Sequence, residues 1–274
     1  MPPIVATSSE AFGGPGATGE PIGEIWFEQP NGADAELLVK FLFTSERLSI
    51  QVHPDDRAAR AAGLPWGKDE AWLILAAEPG AQIGLGTRKM LSKEELGRAA
   101  EDGSIVDLMD WRPVEPGQLI YSPAGTIHAI GAGVSLIEVQ QNCDVTYRIY
   151  DYGRPRELQV EQAIAAARPV PFVQEDVALE QAPGRTVEAH GRAFVVERWR
   201  GFGDASIRPQ ARRPLWLVPI IGGGTLGGKL LETGSAWMVH AEAELSLPNH
   251  AEALIAYAGA GIIPDLVEPK QLGA

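Results

Sequence analysis

Cysteine is almost absent from this chain, since Cys143 is the single one among 274 residues. One thiol has no partner for an intramolecular disulfide, so nothing in the composition indicates an oxidising compartment. Long apolar runs are also missing, and no stretch approaches the ~20 residues of a membrane-spanning helix. The N-terminus lacks the basic start and the apolar run of a signal peptide. We therefore expect a cytoplasmic protein.

Basic residues are scarce relative to acidic ones. The chain has 23 Lys and Arg against 36 Asp and Glu, which gives a formal net charge of −13 at pH 7. The resulting field repels nucleic acid and acidic membrane surfaces, and we expect the protein to bind neither. An anionic small molecule would need a local cluster of Lys and Arg inside a cleft. The sequence gives no information on the oligomeric state.

Glycine and proline are abundant, at 31 and 21 residues. This favours many short strands joined by tight turns over long helices. The hydrophobic fraction of 45% and the charged fraction of 22% are those of an ordinary globular protein. The length allows one large domain or two small ones. We predict a mostly β fold.

The pattern along the chain predicts two β modules, roughly residues 30–155 and 185–265, with helical insertions only around the first. Before them, Thr7–Ala33 is predicted as an irregular arm that contributes one strand, GEIWFE. In ELLVKFLFTSERLSIQV, two β-like runs flank the turn-forming TSER, which indicates a hairpin. Helices are predicted in HPDDRAARAAGL, in SKEELGRAAEDGS and in RELQVEQAIAAAR. The second has a capping box at Ser92 and Glu95 and should end near Gly103.

Two of the five histidines lie in informative surroundings. In SIQVHPDD, Gln51 and His53 alternate and should share one face of a strand. In GQLIYSPAGTIHAIG, a turn should place His128 at the start of the next strand. Between them Glu70 opens the strand EAWLILAA. Two imidazoles and a carboxylate form a common catalytic zinc set, which the amide oxygen of Gln51 can complete.

These motifs carry a resemblance. GQLIYSPAGTIH matches the second cupin motif, and QVHPDD, KDEAW, PAGTIHAI and EVQQNCDVTYRIYDYGR together resemble the type I mannose-6-phosphate isomerases in their short bacterial form. The resemblance extends from about Gly23 to Arg168. It implies a cupin fold, a jelly-roll β-sandwich or barrel, with a catalytic domain at residues 1–168 and a metal-free cupin-like domain at 169–274. It also implies interconversion of mannose 6-phosphate and fructose 6-phosphate through a zinc-assisted enediol or enediolate.

The resemblance further implies a set of site residues. One zinc ion per chain would be held by Gln51, His53, Glu70 and His128, although some short members use only the two histidines and the glutamate. Arg148 matches an active-site arginine, Lys68 a lysine near the zinc glutamate, and Glu138 a carboxylate considered for proton transfer.

Simpler roles remain open for two of these residues and for several others. Lys68 can be a solvated loop residue, and Arg148 can pair with Asp151 or Asp144. Arg154 is a weaker candidate for phosphate binding, without a matching motif. The remaining histidines, His190, His240 and His250, lack ligand-like neighbours and are predicted to be structural.

Two other functions use the same ligands. A metal-binding cupin without catalysis, such as a sugar sensor, would need only the four metal ligands. The charged groups in KDE and TYRIYDYGR exceed that need and favour an enzyme. An iron-dependent cupin oxygenase is disfavoured, because the Gln-His-Glu-His set differs from the facial set of two histidines and one carboxylate. The exact sugar phosphate, the proton-transfer base and the physiological direction stay open.

Overall fold

The computed structural model describes residues 4–8, 22–27, 36–174, 178–201, 203–210 and 213–270. The elements up to residue 166 are β1 (Ile4–Ser8), β2 (Glu24–Phe27), β3 (Leu37–Thr44), β4 (Ile50–Val52), α1 (Asp56–Ala61), β5 (Glu70–Ala77), β6 (Gln82–Thr87), α2 (Lys93–Asp102), α3 (Ile105–Leu108), β7 (Met109–Pro113), β8 (Leu119–Ser122), β9 (His128–Ile130), β10 (Val134–Gln141), β11 (Tyr147–Tyr150) and α4 (Val160–Ala166). Only strands follow in the part of the chain that the structure describes: β12 (Leu179–Ala182), β13 (Arg185–His190), β14 (Phe194–Arg200), β15 (Gly203–Ile207), β16 (Leu215–Ile221), β17 (Thr225–Leu226), β18 (Lys229–Leu230), β19 (Ser235–Val239), β20 (Ala243–Leu247), β21 (Glu252–Ala258) and β22 (Val267–Pro269). The mostly β prediction is confirmed.

The chain divides into two compact units. Residues 40–175 form what we call the central unit, and residues 1–39 with 176–274 form the terminal unit. The terminal unit therefore includes residues 1–39, which the sequence analysis grouped with the N-terminal domain. The physical reason is strand pairing, because β1 pairs antiparallel with β19, from Ile4 opposite Val239 to Ser8 opposite Ser235. The indole of Trp216 also donates a hydrogen bond to the carbonyl of Leu37, at 3.3 Å.

Two antiparallel sheets build the central unit. Its strands are ordered β3-β10-β5-β8 in one sheet and β11-β4-β9-β6-β7 in the other. Their apolar faces share a core, in which Trp72 and Ile74 of β5 pack with Ile83 and Leu85 of β6. The alternation of inward and outward side chains that the sequence indicates is thus satisfied by sheet-on-sheet packing.

The predicted hairpin around TSER is wrong. β3 and β4 lie in different sheets, so the chain crosses from one sheet to the other at this point. The crossing is held by hydrogen bonds to the β9–β10 connection, which joins the same two sheets. The Thr44 hydroxyl donates to the carbonyl of Gly131 at 2.7 Å, and the Leu48 amide donates to the carbonyl of Ile130 at 2.8 Å. Two runs of β residues around a turn do not distinguish a hairpin from such a crossing.

The three predicted helices are confirmed as α1, α2 and α4. The Asp55 side chain accepts a hydrogen bond from the Ala58 amide and caps α1. The capping box of α2 forms at Ser92 and Glu95, and Gly103 ends this helix in the left-handed conformation, with φ of 78°. The short helix α3 was not predicted. No described helix is long and apolar enough to cross a membrane.

The terminal unit consists of a seven-stranded sheet, ordered β1-β19-β16-β21-β14-β13-β12, and a five-stranded sheet, ordered β18-β17-β20-β15-β22. Its core is rich in aromatic side chains, including Trp199, Trp237 and Tyr257. The core also contains a buried ion pair between Arg185 and Glu197. The second β module predicted from the sequence is therefore present.

Candidate metal centre

The three strongest predicted ligands come from three separate segments of the central unit. His53 directly follows β4, Glu70 is the first residue of β5, and His128 is the first residue of β9. β4 and β9 lie in one sheet, whereas β5 lies in the other. The two histidines therefore approach the carboxylate from the opposite sheet.

The side chains of these residues converge in the interior. His53 Nε2 lies 3.1 Å from Glu70 Oε1, and His128 Nε2 lies 3.4 Å from Glu70 Oε2. The three side chains offer one ligand atom each, all within 4.8 Å of one another. Each residue is at most 2% exposed. Within the described ranges, no other group of His, Cys, Asp and Glu side chains has this arrangement.

The hydrogen bonds of the two imidazoles leave their ligand atoms available. His53 Nδ1 lies 2.9 Å from the carbonyl oxygen of Val145, and His128 Nδ1 lies 3.0 Å from that of Thr126. A carbonyl oxygen only accepts, so each Nδ1 carries the hydrogen and each Nε2 presents a lone pair to the centre of the cluster. Metal-binding histidines are held in the same way.

Two atoms of the cluster are buried without a hydrogen-bond partner: His53 Nε2 and Glu70 Oε2. A buried polar atom without a partner costs about 1–3 kcal/mol, so native proteins rarely leave one unsatisfied. A cation bound between the three side chains would satisfy both atoms. The residues present therefore fit a metal ion.

The charge states suit a cation site. Burial lowers the pKa of His53 to about 4, with the charge of Lys68 acting in the same direction and that of Glu70 opposing it. Burial and Lys68 also lower the pKa of His128. Burial alone would raise the pKa of Glu70, but the positive charges of protonated His53 and of Lys68 hold it well below its usual value. At neutral pH the cluster thus consists of two neutral imidazoles and a carboxylate.

Gln51 reaches the same cluster. It pairs with His128 across β4 and β9, and its Nε2 lies 3.2 Å from His128 Nε2. Its Oε1 accepts a hydrogen bond from the Ser49 hydroxyl at 3.0 Å. Rotation of the amide by half a turn exchanges Oε1 and Nε2, and the Ser49 hydroxyl can then accept where it had donated. Ligation by Gln51 stays a prediction that requires this rotation.

Lys68 is a buried residue. Its Nζ lies 3.1 Å from Glu70 Oε1, and it is 4% exposed, so it is not a solvated loop lysine. Burial alone would lower the pKa of Lys68, but the carboxylates of Glu70 and Glu138 raise it above its usual value. The side chain therefore carries a positive charge beside the cluster.

Arg148 lies on the same sheet as the two histidines. It pairs with Gln51 across β11 and β4, and Gln51 pairs with His128, so the three side chains form a row on one face. In the described residues Arg148 makes no ion pair with Asp151 or Asp144, and its buried Nε has no hydrogen-bond partner. The predicted alternative of a structural ion pair is wrong.

Asp151 is bound by other arginines. Its carboxylate accepts hydrogen bonds from Arg156 Nε at 2.6 Å and from Arg154 Nη2. Arg154 Nη2 also donates to the carbonyl of Arg47 at 2.9 Å. These bonds engage the guanidinium that the sequence offered as a weaker phosphate candidate, and phosphate binding by Arg154 stays a prediction.

Glu138 is buried in the other sheet. Its Oε1 accepts a hydrogen bond from the indole of Trp72 at 3.0 Å, and its Oε2 lies 3.6 Å from Lys40 Nζ. Burial and the charge of Glu70 raise the pKa of Glu138 to about 7, while Lys68 and Lys40 oppose this rise. The sequence reasoning missed Lys40. A lysine inside the apolar run LLVKFLF is the same kind of signal that singled out Glu138.

Gln140 was also missed. It is fully buried and pairs with Glu70 across β10 and β5, so both side chains project from one face. Its Nε2 donates to the carbonyls of Gln141 and Cys143, each at 3.1 Å, and its Oε1 has no hydrogen-bond partner. A buried amide in an apolar strand was the available signal.

The histidines of the terminal unit belong to no group of potential metal ligands among the described residues. His190, His240 and His250 are all exposed. The ring of His190 bonds to the carbonyl of Ala260. Their predicted structural role stays a prediction, because geometry alone does not test catalysis.

No family model matches the chain. Several curated proteins match the chain. A mannose-6-phosphate isomerase of Streptococcus mutans is 36% identical over 196 residues, which are 68% of this chain and 61% of that protein. Mannose-6-phosphate isomerase ManA of Bacillus subtilis is 36% identical over 219 residues, 74% of this chain and 68% of that protein. The chain thus spans less than two thirds of the first relative and slightly more of the second.

Solved structures agree with these matches. A mannose 6-phosphate isomerase from Bacillus subtilis superposes with a TM-score of 0.70 at 31% identity, covering 80% of this chain and 74% of that one. A zinc-bound mannose 6-phosphate isomerase superposes with a TM-score of 0.68 over 93% of this chain and 98% of that one, and its 13% identity supports the fold alone. Because the Bacillus subtilis relatives exceed 30% identity over more than two thirds of their length, this chain belongs to the mannose-6-phosphate isomerase family.

Proposed function

We propose that this chain is a zinc-dependent aldose–ketose isomerase that interconverts mannose 6-phosphate and fructose 6-phosphate. The observation that carries the proposal is the convergence of His53 Nε2, His128 Nε2 and Glu70, with both Nδ1 atoms held by backbone carbonyls. Membership of the isomerase family supplies the substrate. The partner is accordingly a small sugar phosphate, and the cytoplasmic location stays a prediction.

Zinc is the proposed metal, with one ion per chain. Two imidazole nitrogens and a carboxylate oxygen are typical catalytic zinc ligands, and Gln51 is the proposed fourth. When bound, zinc would act as a Lewis acid on the substrate oxygens. The three strong donors alone also suit non-haem iron, so the preference for zinc rests on Gln51 and on family membership. A solved mannose 6-phosphate isomerase with the same fold is zinc-bound.

Glu138 is the proposed proton carrier. The reaction removes a proton from one carbon of the sugar and returns it to the adjacent carbon through an enediolate. A carboxylate with a pKa near neutrality both accepts and returns a proton efficiently, and the pKa of Glu138 is raised to about 7. The indole of Trp72 and the ammonium of Lys40 hold the carboxylate in place.

Arg148 and Lys68 are proposed to neutralise negative charge on the substrate. The buried Nε of Arg148 has no partner within the described chain, so the guanidinium has a donor to offer. Arg is suited to oxyanions because it presents two parallel donors. Lys68 stays charged through its contact with Glu70. We assign the catalytic groups to residues 1–168 and propose that residues 169–274 carry none.

A metal-binding protein without catalysis is the competing function. It would need the metal ligands but has no use for Arg148, Lys68 and Glu138, and family membership also favours the enzyme. The test is a coupled assay for fructose 6-phosphate formed from mannose 6-phosphate, with and without chelator. Chelator-sensitive turnover is expected. Stoichiometric metal without turnover would favour the sensor, and turnover that iron supports better than zinc would contradict the metal assignment.

A further inference from the structure

We infer that Asp69 and Gln141 are positioning residues for the metal centre, because their side chains join the three segments that carry His53, Glu70 and His128. The inference rests on the metal site of the proposed function, although not on the identity of the sugar. None of these contacts involves a proposed ligand directly. The network acts through the chain positions from which the ligands project.

Asp69 links the Glu70 segment to the His128 segment. Its Oδ1 accepts a hydrogen bond from the backbone amide of Ala124 at 2.8 Å, and its Oδ2 accepts one from the phenol of Tyr121. Ala124 lies in the β8–β9 connection, four residues before His128. This connection leads from the sheet that contains Glu70 to the sheet that contains the histidines. The Asp69 carboxylate thus holds the residue next to Glu70 against the connection that leads to His128.

Gln141 links Asp69 to the segment that carries His53. Its Oε1 accepts a hydrogen bond from the backbone amide of Asp69 at 3.0 Å, and its Nε2 donates to Asp56 Oδ1 at 3.0 Å. Asp56 lies three residues after His53, and its Oδ1 also accepts from the Gly67 amide at 2.8 Å. Both ends of the Gln141 amide are therefore used in joining segments.

Backbone contacts tighten the same junction. The Gly125 amide donates to the carbonyl of His53 at 2.9 Å, and the Lys68 amide donates to that of Pro54 at 3.0 Å. A Cβ on Gly67 would lie 2.6 Å from the backbone of Asp55. The segments that contain Gly67 and Asp55 therefore pack too closely for any side chain at position 67. The segments are thus held at a fixed separation.

The need for such a junction follows from the sheets. Hydrogen bonds within one sheet fix His53 relative to His128, but Glu70 belongs to the other sheet. Its distance from the imidazoles depends on contacts that cross between the sheets. Groups hydrogen-bonded to metal ligands typically contribute 10–100-fold in metal affinity. Because Asp69 and Gln141 act one step further out, we expect effects at the lower end of this range.

The experiment compares zinc binding and stability in four variants. Asp69→Ala removes both side-chain bonds, whereas Asp69→Asn can accept from Ala124 and donate to the Tyr121 oxygen. Gln141→Leu removes the bond from the Asp69 amide and the bond to Asp56. Ser92→Ala is the control, because it removes a helix cap in the same unit without touching the network. For each, zinc affinity is measured by chelator competition, site geometry by the absorption spectrum of bound Co²⁺, and stability by melting of the metal-free protein.

We expect Asp69→Ala to weaken zinc binding at least ~10-fold and to alter the Co²⁺ spectrum, with Asp69→Asn restoring most of both. Ser92→Ala should lower the melting temperature and leave both metal readouts unchanged. Wild-type zinc affinity in Asp69→Ala would overturn the inference, as would equal loss of affinity in Ser92→Ala. If Asp69→Ala fails to fold, Gln141→Leu decides, with a weakening of several-fold expected and unchanged affinity contradicting the proposal. A wild-type protein that binds zinc without isomerase turnover would refute the proposed function alone.

Discussion

The two units of this chain both bury ionisable side chains between antiparallel sheets, but they differ in the hydrogen-bond partners that they supply to these side chains. In the terminal unit, the Glu197 carboxylate accepts hydrogen bonds from Arg185 Nε and Trp199 Nε1 through one oxygen, each at 2.7 Å. Its other oxygen accepts from Arg185 Nη2 at 2.8 Å and from the Tyr257 phenol at 2.6 Å. Arg185 Nη1 donates to the carbonyl of Pro264 at 2.7 Å. Both carboxylate oxygens are satisfied within the unit.

The central unit leaves such atoms without partners. His53 Nε2 and Glu70 Oε2 are buried and unbonded, and so are Gln140 Oε1 and Arg148 Nε. A satisfied buried ion pair needs no outside partner, whereas buried atoms left unsatisfied, as at His53 and Glu70, need an external one. Burial of charge alone therefore does not mark the candidate site, because Arg185 and Glu197 are buried as well. The candidate site is marked by unsatisfied atoms that belong to a group of convergent ligand atoms.

The largest effect should come from His128→Ala. This change removes a proposed metal ligand, so we expect loss of stoichiometric zinc and a fall in turnover of at least ~1,000-fold, about 4 kcal/mol of barrier. The melting temperature of the metal-free variant should also fall below that of the metal-free parent, because His128 is buried against Trp72 and its Nδ1 bonds to the carbonyl of Thr126. Elemental analysis, a coupled assay and thermal melting measure the three quantities. Unaltered zinc content would show that the ligand set is wrong.

Glu197→Ala should lower the stability of the fold and leave zinc binding unchanged. It leaves Arg185 buried without its carboxylate, and breaking a buried pair in this way costs about 3–5 kcal/mol of unfolding free energy. Zinc content per folded chain should stay at the wild-type level. Denaturant unfolding and metal analysis of the folded fraction test this. A variant with full stability would show that the pair contributes nothing, and one that is stable but metal-free would erase the contrast between the units.

Arg148→Ala should reduce turnover by at least ~100-fold while zinc and fold are retained, the scale seen when one preorganised oxyanion donor is removed. Arg148→Lys should recover part of this, since a point charge does not reproduce two parallel donors. Steady-state kinetics, with zinc content as the control, make the comparison. An alanine variant that loses its metal would assign Arg148 to structure, and a fully active one would remove it from the site.

The smallest effects should come from His240→Ala and His250→Ala. Both residues are exposed in the terminal unit and lie outside any described ligand group, so turnover should stay within a few fold of wild type. The coupled assay is sufficient, with far-UV circular dichroism to verify folding. A folded variant that is ~100-fold slower would move part of the chemistry into the terminal unit.

The sequence located what depends on neighbours in the chain. QVHPDD, KDEAW and PAGTIH each place one proposed ligand relative to a strand, and the structure begins β5 and β9 at Glu70 and His128. The capping box at Ser92 is likewise a local signal. Such features need only a few consecutive residues to form.

Features that depend on distant partners were not predictable in this way. The separation of β3 and β4 into different sheets rests on bonds from Thr44 and Leu48 to the β9–β10 connection, more than 80 residues away. The grouping of residues 1–39 with the terminal unit rests on β1 pairing with β19. The roles of Gln141 and Asp69 as links between segments also appear only once the chain is folded.

The most direct test of the metal assignment is a titration of chelator-treated wild-type protein with zinc, following fructose 6-phosphate formation from mannose 6-phosphate. We expect negligible turnover without metal and a rise that ends at one zinc ion per chain, because the described cluster offers one set of convergent ligand atoms. Full turnover in the metal-free protein, or none with one zinc ion bound, would contradict the metal assignment.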